Sequence, residues 1–576
     1  MLLSLVLTLT FAAYLGSLNF QFIFDDRGQI VENPTVHSWG YVRQYFTAHV
    51  WAHMDPDQTG NYYRPVFLLW LRVNDMLFGS RPGWWHLTTI LAHLATTLGV
   101  YFLARRLLQD RMTGVIAALI FGLHPVHIEA VAWVSGVTEP LLGLLFISCF
   151  LCYLRWRDRP KAARGWLAIS LALFVLGLLE KETAIVLPAL VFANEWISWR
   201  SDGAPRLSGD SARRFQHALK YAAPFLALVP PYLIARIMVL KGFRPAGIDL
   251  PFSTLVFTWP SLGWFWIKHL AWPVGLSMAY DFPAKSSPGW TDFALPLVAV
   301  MAALTGLLWL AWRSRPIAFA SAWMFAPLIP LLEIRAFRPD DFAHDRYLYL
   351  PSVGFTMLAA FALRRIPWSR MTKLGWPVTQ TAAVFSIALL LMFGTVSQIY
   401  NFANNDVFYE HNARAAPNSK IAQSNLAAWM AEKGNYPRAR AILTGIVERD
   451  ATDWDAVYML GYTSYKMGLL EEAEQYFIRS IRMNPAKADA YLYLGLTRFR
   501  MERAVEAEAD IRQAIQIRPA RFGYHFALGI ILKSRGELTD ALSEFRVEAA
   551  NFPSEAAARQ QITEIEERLQ GGRKEK

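Results

Sequence analysis

The chain has 576 residues, 54% of them hydrophobic, with 57 Lys and Arg against 46 Asp and Glu, a formal net charge of +11. The apolar excess is gathered into runs that end near residue 399, which excludes a single soluble globular domain. The basic excess sits in short loops that bracket those runs, which argues against a nucleic-acid-binding surface.

In chain order the apolar runs predict an all-α fold that begins with about eleven membrane helices, at 1–19, 84–104, 113–123, 137–154, 166–179, 183–199, 221–240, 293–312, 317–332, 351–363 and 378–399. The first run lacks a positively charged start and stays apolar past its small residues, so it is expected to be retained rather than cleaved as a signal peptide. Basic residues recur between alternate pairs of runs: Arg105, Arg106 and Arg111; Arg155, Arg157, Arg159, Lys161 and Arg164; Arg200, Arg213, Arg214 and Lys220; Arg313 and Arg315; Arg364, Arg365, Arg370 and Lys373. The positive-inside rule puts those loops in the cytoplasm. An inside start and an odd number of spans then put both the stretch FIFDDRGQIVENP at 22–34 and everything after 399 on the other side. In the long loop 241–291, Trp259, Trp264, Trp266 and Trp272 are expected to anchor amphipathic segments at the membrane interface.

From 404 onward the long apolar runs disappear, and Ala439, Ala473, Ala507 and Ala541 recur every 34 residues. The same interval links Ala427, Gly461, Gly495 and Gly529, and again Pro485, Pro519 and Pro553. Small residues at helix crossings with a proline after the second helix mark tetratricopeptide repeats, which stack into an α-solenoid suited to binding peptides or proteins. The expected organisation is a membrane domain at 1–399, a linker and half-repeat at 400–419, four repeats at 420–553, and a capping helix and tail at 554–576.

Polar chemistry concentrates in the loops expected outside. Asp25 and Asp26 follow the first span, Arg64 sits in NYYRPVF, His124, His127 and Glu129 in HPVHIEAVAW, and Glu180, Lys181 and Glu182 in LLEKETAIVLP. The loop EIRAFRPDDFAHDRYLYLPS adds Arg335, Arg338, Asp340, Asp341, His344, Asp345 and Arg346. Ionisable groups at span ends line functional cavities because isolated charges in hydrocarbon are costly. Each group also has a structural reading: a solvated helix end for the two acids, hydrogen-bonded core histidines, an ion pair at 180–181, an interfacial arginine at 346. Cys149 and Cys152 lie inside an apolar run, where they read as core residues rather than a redox or metal pair. Two histidines and one acid make an incomplete metal set, so no metal ligand is assigned, and a divalent ion at the carboxylate pair is left open. A membrane cavity with an acid pair and outward-facing basic groups permits sugar transfer from an isoprenoid phosphate, without selecting it uniquely; a membrane receptor or assembly scaffold is the rival class.

The motifs FIFDDRGQIVENP, NYYRPVF, FGLHPVHIEAVAWVSG, LLEKETAIVLP and HDRYLYLPSVGF, together with the repeats, resemble the transmembrane and tetratricopeptide repeat-containing O-mannosyltransferase family, within the polytopic GT-C type of lipid-phosphate-sugar-dependent glycosyltransferases. The resemblance implies transfer of a sugar, mannose in the family, from a polyprenyl-phosphate donor to a hydroxyl of an extracytoplasmic protein acceptor; a base and a phosphate-binding cation can perform this transfer, so no required cofactor is expected. It puts Asp25 as general base and Asp26 as positioning partner or alternate base. It puts His127 and Glu129 in the same cavity and implies that Glu180, Lys181, Glu182 and Arg346 fall on the family's charged positions; Arg64 lies in one of its motifs. Charge suggests Lys181 or Arg346 for the phosphate. The expected setting is a bacterial inner or plasma membrane, with the repeats outside the cytoplasm.

Overall fold

The computed structural model describes residues 1–54, 62–160, 164–199, 211–242, 250–337, 341–368, 372–373, 376–553 and 555–574. Lys161, Arg200, Arg338, Asp340 and Arg370 lie outside the described residues. The chain forms two compact units, Met1–Ser419 and Lys420–Lys576. Helices dominate both; a two-residue antiparallel pair joins Thr372–Lys373 to Trp376–Pro377 in the register Thr372 to Pro377 and Lys373 to Trp376.

Among the described residues, seven helices of the first unit are long and apolar enough to cross a membrane, not eleven: Leu2–Asn19, Pro82–Leu108, Val134–Asp158, Ser211–Leu240, Trp290–Arg313, Arg315–Leu332 and Val378–Phe402. An eighth is counted if Arg111–Leu123 and Pro125–Ala132, bent by 52° at their junction, form one broken span. The expected spans at 166–179, 183–199 and 351–363 fall in helices of 17, 12 and 15 residues, Arg164–Glu180, Leu187–Ser198 and Pro351–Arg365. At 1.5 Å per residue even the longest reaches only about 25 Å, short of a ~30 Å hydrocarbon core. The runs themselves were shorter than a full span in the sequence, and the structure does not lengthen them to one. Parity built on eleven spans therefore fixes no side, since seven is odd and eight is even.

Within the first unit, helices approach closely where glycines face neighbouring backbone. A Cβ at Gly354 would lie 2.3 Å from the carbonyl oxygen of Ala320 and from the amide nitrogen of Met324, so Pro351–Arg365 lies directly against Arg315–Phe325. Buried polar side chains join the helices: His93 bonds Tyr349 Oη at 2.7 Å, Thr96 donates to Pro140 O at 2.9 Å, and Thr395 donates to Leu123 O at 2.8 Å. The loop at 241–291 contains a 20-residue helix, Phe252–Ala271. Trp264 and Trp272 are exposed there, whereas Trp266 is buried and Trp259 donates its indole N–H to Leu332 O.

The second unit is built of helix pairs: Lys420–Glu432 with Tyr436–Arg449, Trp454–Lys466 with Leu470–Met483, Ala488–Arg500 with Ala504–Ile517, and Tyr524–Ser534 with Leu538–Asn551. A further helix, Ala556–Lys574, follows. The 34-residue period has a steric cause: a Cβ at Gly461 or Gly529 would lie under 3 Å from the ring of Phe477 or Phe545. Gly434, Gly468 and Gly536 end their helices at φ near +80°, and Glu502 holds the equivalent place in the third pair at φ +63°.

Candidate functional site

A cavity of about 160 Å³ in the first unit gathers Asp25, Arg64, Lys181, Glu182, Arg236 and Arg346, walled by Tyr62, Trp133 and Tyr347. These residues come from segments far apart in sequence, and in every case but Arg236, which lies within the helix Val229–Leu240, a local break in helix aims the side chain.

The acidic pair divides at a strained residue. Phe24 has φ +50°, a left-handed conformation costly for an aromatic residue, held by packing on Phe408 and Trp133 and by an N–H bond to Asn405 Oδ1 at 2.9 Å. After this twist Asp25 lines the cavity, while Asp26 is fully buried behind it. Asp26 Oδ1 accepts the Ser135 backbone N–H at 2.8 Å and its hydroxyl at 2.6 Å, and Oδ2 accepts the Ile23 N–H at 3.1 Å. Asp26 thus ties the 23–26 turn to the 133–136 segment, where Gly136 lies so close to the Glu129 carbonyl that a Cβ would sit 2.5 Å from it.

Burial pushes the Asp26 carboxyl up to about 7, outweighing the hydrogen bonds from Ser135 and Ile23 that favour its charged form. The folded state therefore binds this proton more tightly than the unfolded chain, whose ordinary value is 3.8. The stability it contributes is fully present below pH 3.8 and is lost as pH rises through about 7. Asp26→Asn, always neutral, is expected to lower the melting temperature most at pH 5, with the gap to wild type narrowing by pH 8. Thermal unfolding of both proteins in nanodiscs checks this, and a gap that widens with pH contradicts it.

The cations arrive through two further breaks. Arg64 precedes Pro65, which opens the helix Pro65–Phe78, and its guanidinium bonds Glu182 at 3.1 Å and stacks on Tyr62 at 4.4 Å. Lys181 is an extended residue between the helix Arg164–Glu180 and the turn Glu182–Val186, so three consecutive charged side chains diverge. Lys181 pairs with Glu139 and lies 5.3 Å from the centre of the Tyr347 ring. Glu182 takes Arg64 on one oxygen and lies 3.7 Å from Arg236 on the other. Burial alone would raise the Glu182 carboxyl, but Arg64 and Arg236 hold it down at about 2. Glu180 is completely buried, its carboxyl oxygens have no hydrogen-bond partner among the described residues, and burial pushes it up to about 8, so it keeps its proton at neutral pH. Kept neutral, Glu180 adds no charge to the pairs that Arg64 and Arg236 form with Glu182 and Lys181 forms with Glu139.

Arg346 reaches the cavity from the turn Asp345–Leu348. Glu129, nearly fully buried, accepts both its backbone N–H, at 2.9 Å, and its guanidinium, with His344 3.7 Å from the same carboxylate. Trp133 and Tyr347 flank the guanidinium at 5.6 and 5.1 Å. Glu129 stands behind Arg346 rather than in the cavity wall. His127 is buried against Phe121 and Tyr349, its Nε2 2.8 Å from Ser352 Oγ, and His124 bonds the Leu270 carbonyl. Among the described residues no group of three or more His, Cys, Asp or Glu is arranged to hold a metal ion.

Sequence reasoning missed Arg236, Glu139, Tyr62 and Tyr347. For two of them a signal was present: Arg236 is a lone charge inside the apolar run 221–240, and Glu139 an acid inside 137–154. Chemically, the cavity offers one carboxylate able to accept a proton opposite a set of cations able to hold an anion, bounded by aromatic faces.

Residues 63–206 match the family described as dolichyl-phosphate-mannose-protein mannosyltransferase, and residues 431–479 and 458–522 match the tetratricopeptide repeat. The chain is similar to protein O-mannosyl-transferase TMTC3 of Homo sapiens, 23% identical over 517 residues covering 84% of this chain and 55% of that protein. It is similar to protein O-mannosyl-transferase TMTC1 of Homo sapiens, 26% identical over 476 residues covering 74% and 52%. A shorter stretch of 186 residues is 34% identical to protein O-mannosyl-transferase Tmtc2 of Drosophila melanogaster, covering 31% and 20%. The chain spans about half the length of the two human relatives.

Proposed function

We propose that this chain, a member of the TMTC-like O-mannosyltransferase family with tetratricopeptide repeats, transfers a sugar, mannose as in its relatives' names, from a polyprenyl-phosphate donor to a hydroxyl of a protein acceptor. The observation that carries the reading is the meeting of Asp25 with Arg64, Lys181, Arg236 and Arg346 on one cavity of a membrane-spanning unit.

Asp25 takes the proton of the acceptor hydroxyl as that oxygen attacks the anomeric carbon. The bond from that carbon to the phosphate oxygen breaks, and the polyprenyl phosphate leaves with its charge held by the cationic set. A single displacement inverts the anomeric configuration. Asp26 positions Asp25 by fixing the turn that carries it, and Glu129 positions Arg346. His127 supports the bent segment. Glu180 stays protonated, which spares the cations a further negative charge. The arginines and the lysine supply the charge that a divalent ion would otherwise bring, so the reaction needs no cofactor. The setting is a bacterial inner or plasma membrane, and the repeats recruit the acceptor.

Recruitment raises local acceptor concentration through the tether without adding a catalytic group. Removing residues 420–576 is therefore expected to cut glycosylation of a protein acceptor by about 10²-fold or more, the scale of lost avidity, while donor binding stays within a factor of about two. Transfer from lipid-linked mannose and donor binding are measured separately in proteoliposomes. Undiminished glycosylation by the truncated chain contradicts recruitment, and absence of transfer by the full chain with every lipid-linked sugar contradicts the enzymatic reading.

A further inference from the structure

A second cavity, of about 460 Å³, lies in the first unit between the helix Phe252–Ala271 and residues 274–296. Nothing in the transfer chemistry above uses it. Its walls are aromatic: Phe265 packs edge-on against Tyr280 at 4.9 Å and Phe282 at 5.6 Å, and Trp264, 44% exposed, stands at the rim. Between these faces are groups of both hydrogen-bonding senses, Lys268 and Lys285 as donors and Asp281 and Asp292 as acceptors.

The rim charges cancel. Lys285 Nζ lies 3.4 Å from Asp292, and the Asp281 carboxylate accepts the backbone N–H of Asn418 at 3.0 Å and its amide at 3.1 Å. A phosphate placed here would meet two carboxylates, and an acyl chain would bury four charged side chains without replacing their hydrogen bonds. A neutral polyhydroxylated ring suits both features: its hydroxyls donate to aspartate and accept from lysine, and its C–H faces lie on aromatic rings. The floor is preorganised. His269, 4% exposed, places Nδ1 3.1 Å from Asp345 Oδ1, Tyr280 donates its hydroxyl to Asp345, and Asp345 adjoins Arg346 of the first cavity.

We propose that this second cavity binds a neutral hexose, as a free saccharide or as a glycan already attached to an acceptor. Binding is independent of transfer and is tested without it. Saturation-transfer NMR on the full chain in nanodiscs free of glycoside detergent, with methyl α-mannopyranoside as probe, is expected to give a saturable signal on the order of 10 mM, weak as a single-ring contact is. The signal persists in Asp25→Asn and weakens roughly fivefold or more in Trp264→Ala and in Lys268→Ala, two exposed positions where folding is not at stake. A mannosylated peptide that binds more tightly than the glycoside identifies an attached glycan as the source; equal binding identifies a free saccharide. No saturable signal, unchanged binding in both variants, or displacement of the glycoside by equimolar inorganic phosphate overturns the proposal. Quenching of Trp264 by brominated phospholipid without a sugar signal overturns it in favour of a lipid.

Discussion

Replacing Asp25 by asparagine lowers the rate of sugar transfer by about 10²–10⁴-fold, the range for loss of a positioned general base, and leaves insertion, melting temperature and donor binding near wild type. The amide keeps the side-chain volume in the cavity but cannot take the hydroxyl proton. The neighbouring Asp26→Asn is expected to act through a different channel. Its carboxyl is buried and engaged by Ser135 and Ile23, so that substitution moves stability and its pH dependence. Single-turnover rates with saturating lipid-linked donor separate the two: a rate defect at Asp25 that survives donor saturation supports the base, and near-wild-type turnover removes it from that role.

Arg346→Ala is expected to have two separable consequences. The cavity loses a cation aimed at the departing phosphate, a loss on the order of 10²-fold or more in turnover for an electrostatic stabiliser in a dry site. Glu129, 2% exposed, also loses the guanidinium it holds, and an unpaired buried carboxylate costs about 3–5 kcal/mol of stability. Adding Glu129→Gln removes the stranded charge, so the double variant regains most of its melting temperature while transfer stays impaired. Arg346→Lys, which keeps the charge and loses the planar fork, falls between wild type and alanine. Melting curves with donor titrations across the four proteins test this; recovery of both stability and turnover in the double variant assigns Arg346 to structure alone.

The segments that build the first cavity were legible in sequence because charge at the ends of apolar runs is costly and therefore conspicuous. Asp25, Arg64, Lys181, Glu182 and Arg346 all stood out that way, and the structure brings them together. The division of work between Asp25 and Asp26 was not legible, since it turns on one left-handed residue, Phe24, whose strain is held by contacts more than 380 residues away in sequence. Nor could Glu129 be placed behind Arg346 rather than in the wall, because that needs the bend after Leu123. Arg236 and Glu139 were visible as charges inside apolar runs, but only a fold pairs them with Glu182 and Lys181. Span counting failed where apolar runs too short for a full crossing, such as those on either side of Lys181, were counted as spans. The repeats were the most legible part, since a small residue recurs every 34 residues where the paired helices meet, as Gly461 and Gly529 do against the rings of Phe477 and Phe545 and Gly495 does against Ile511.

The most direct measurement is a structure of the full chain in a lipid bilayer with a non-hydrolysable polyprenyl-phosphonate mannoside. The phosphonate is expected beside Arg64, Lys181, Arg236 and Arg346, with the anomeric carbon turned toward the Asp25 carboxylate and room between them for one hydroxyl. Phosphonate bound away from this cavity, or bound within it with the sugar turned from Asp25, contradicts the assignment of this site to sugar transfer.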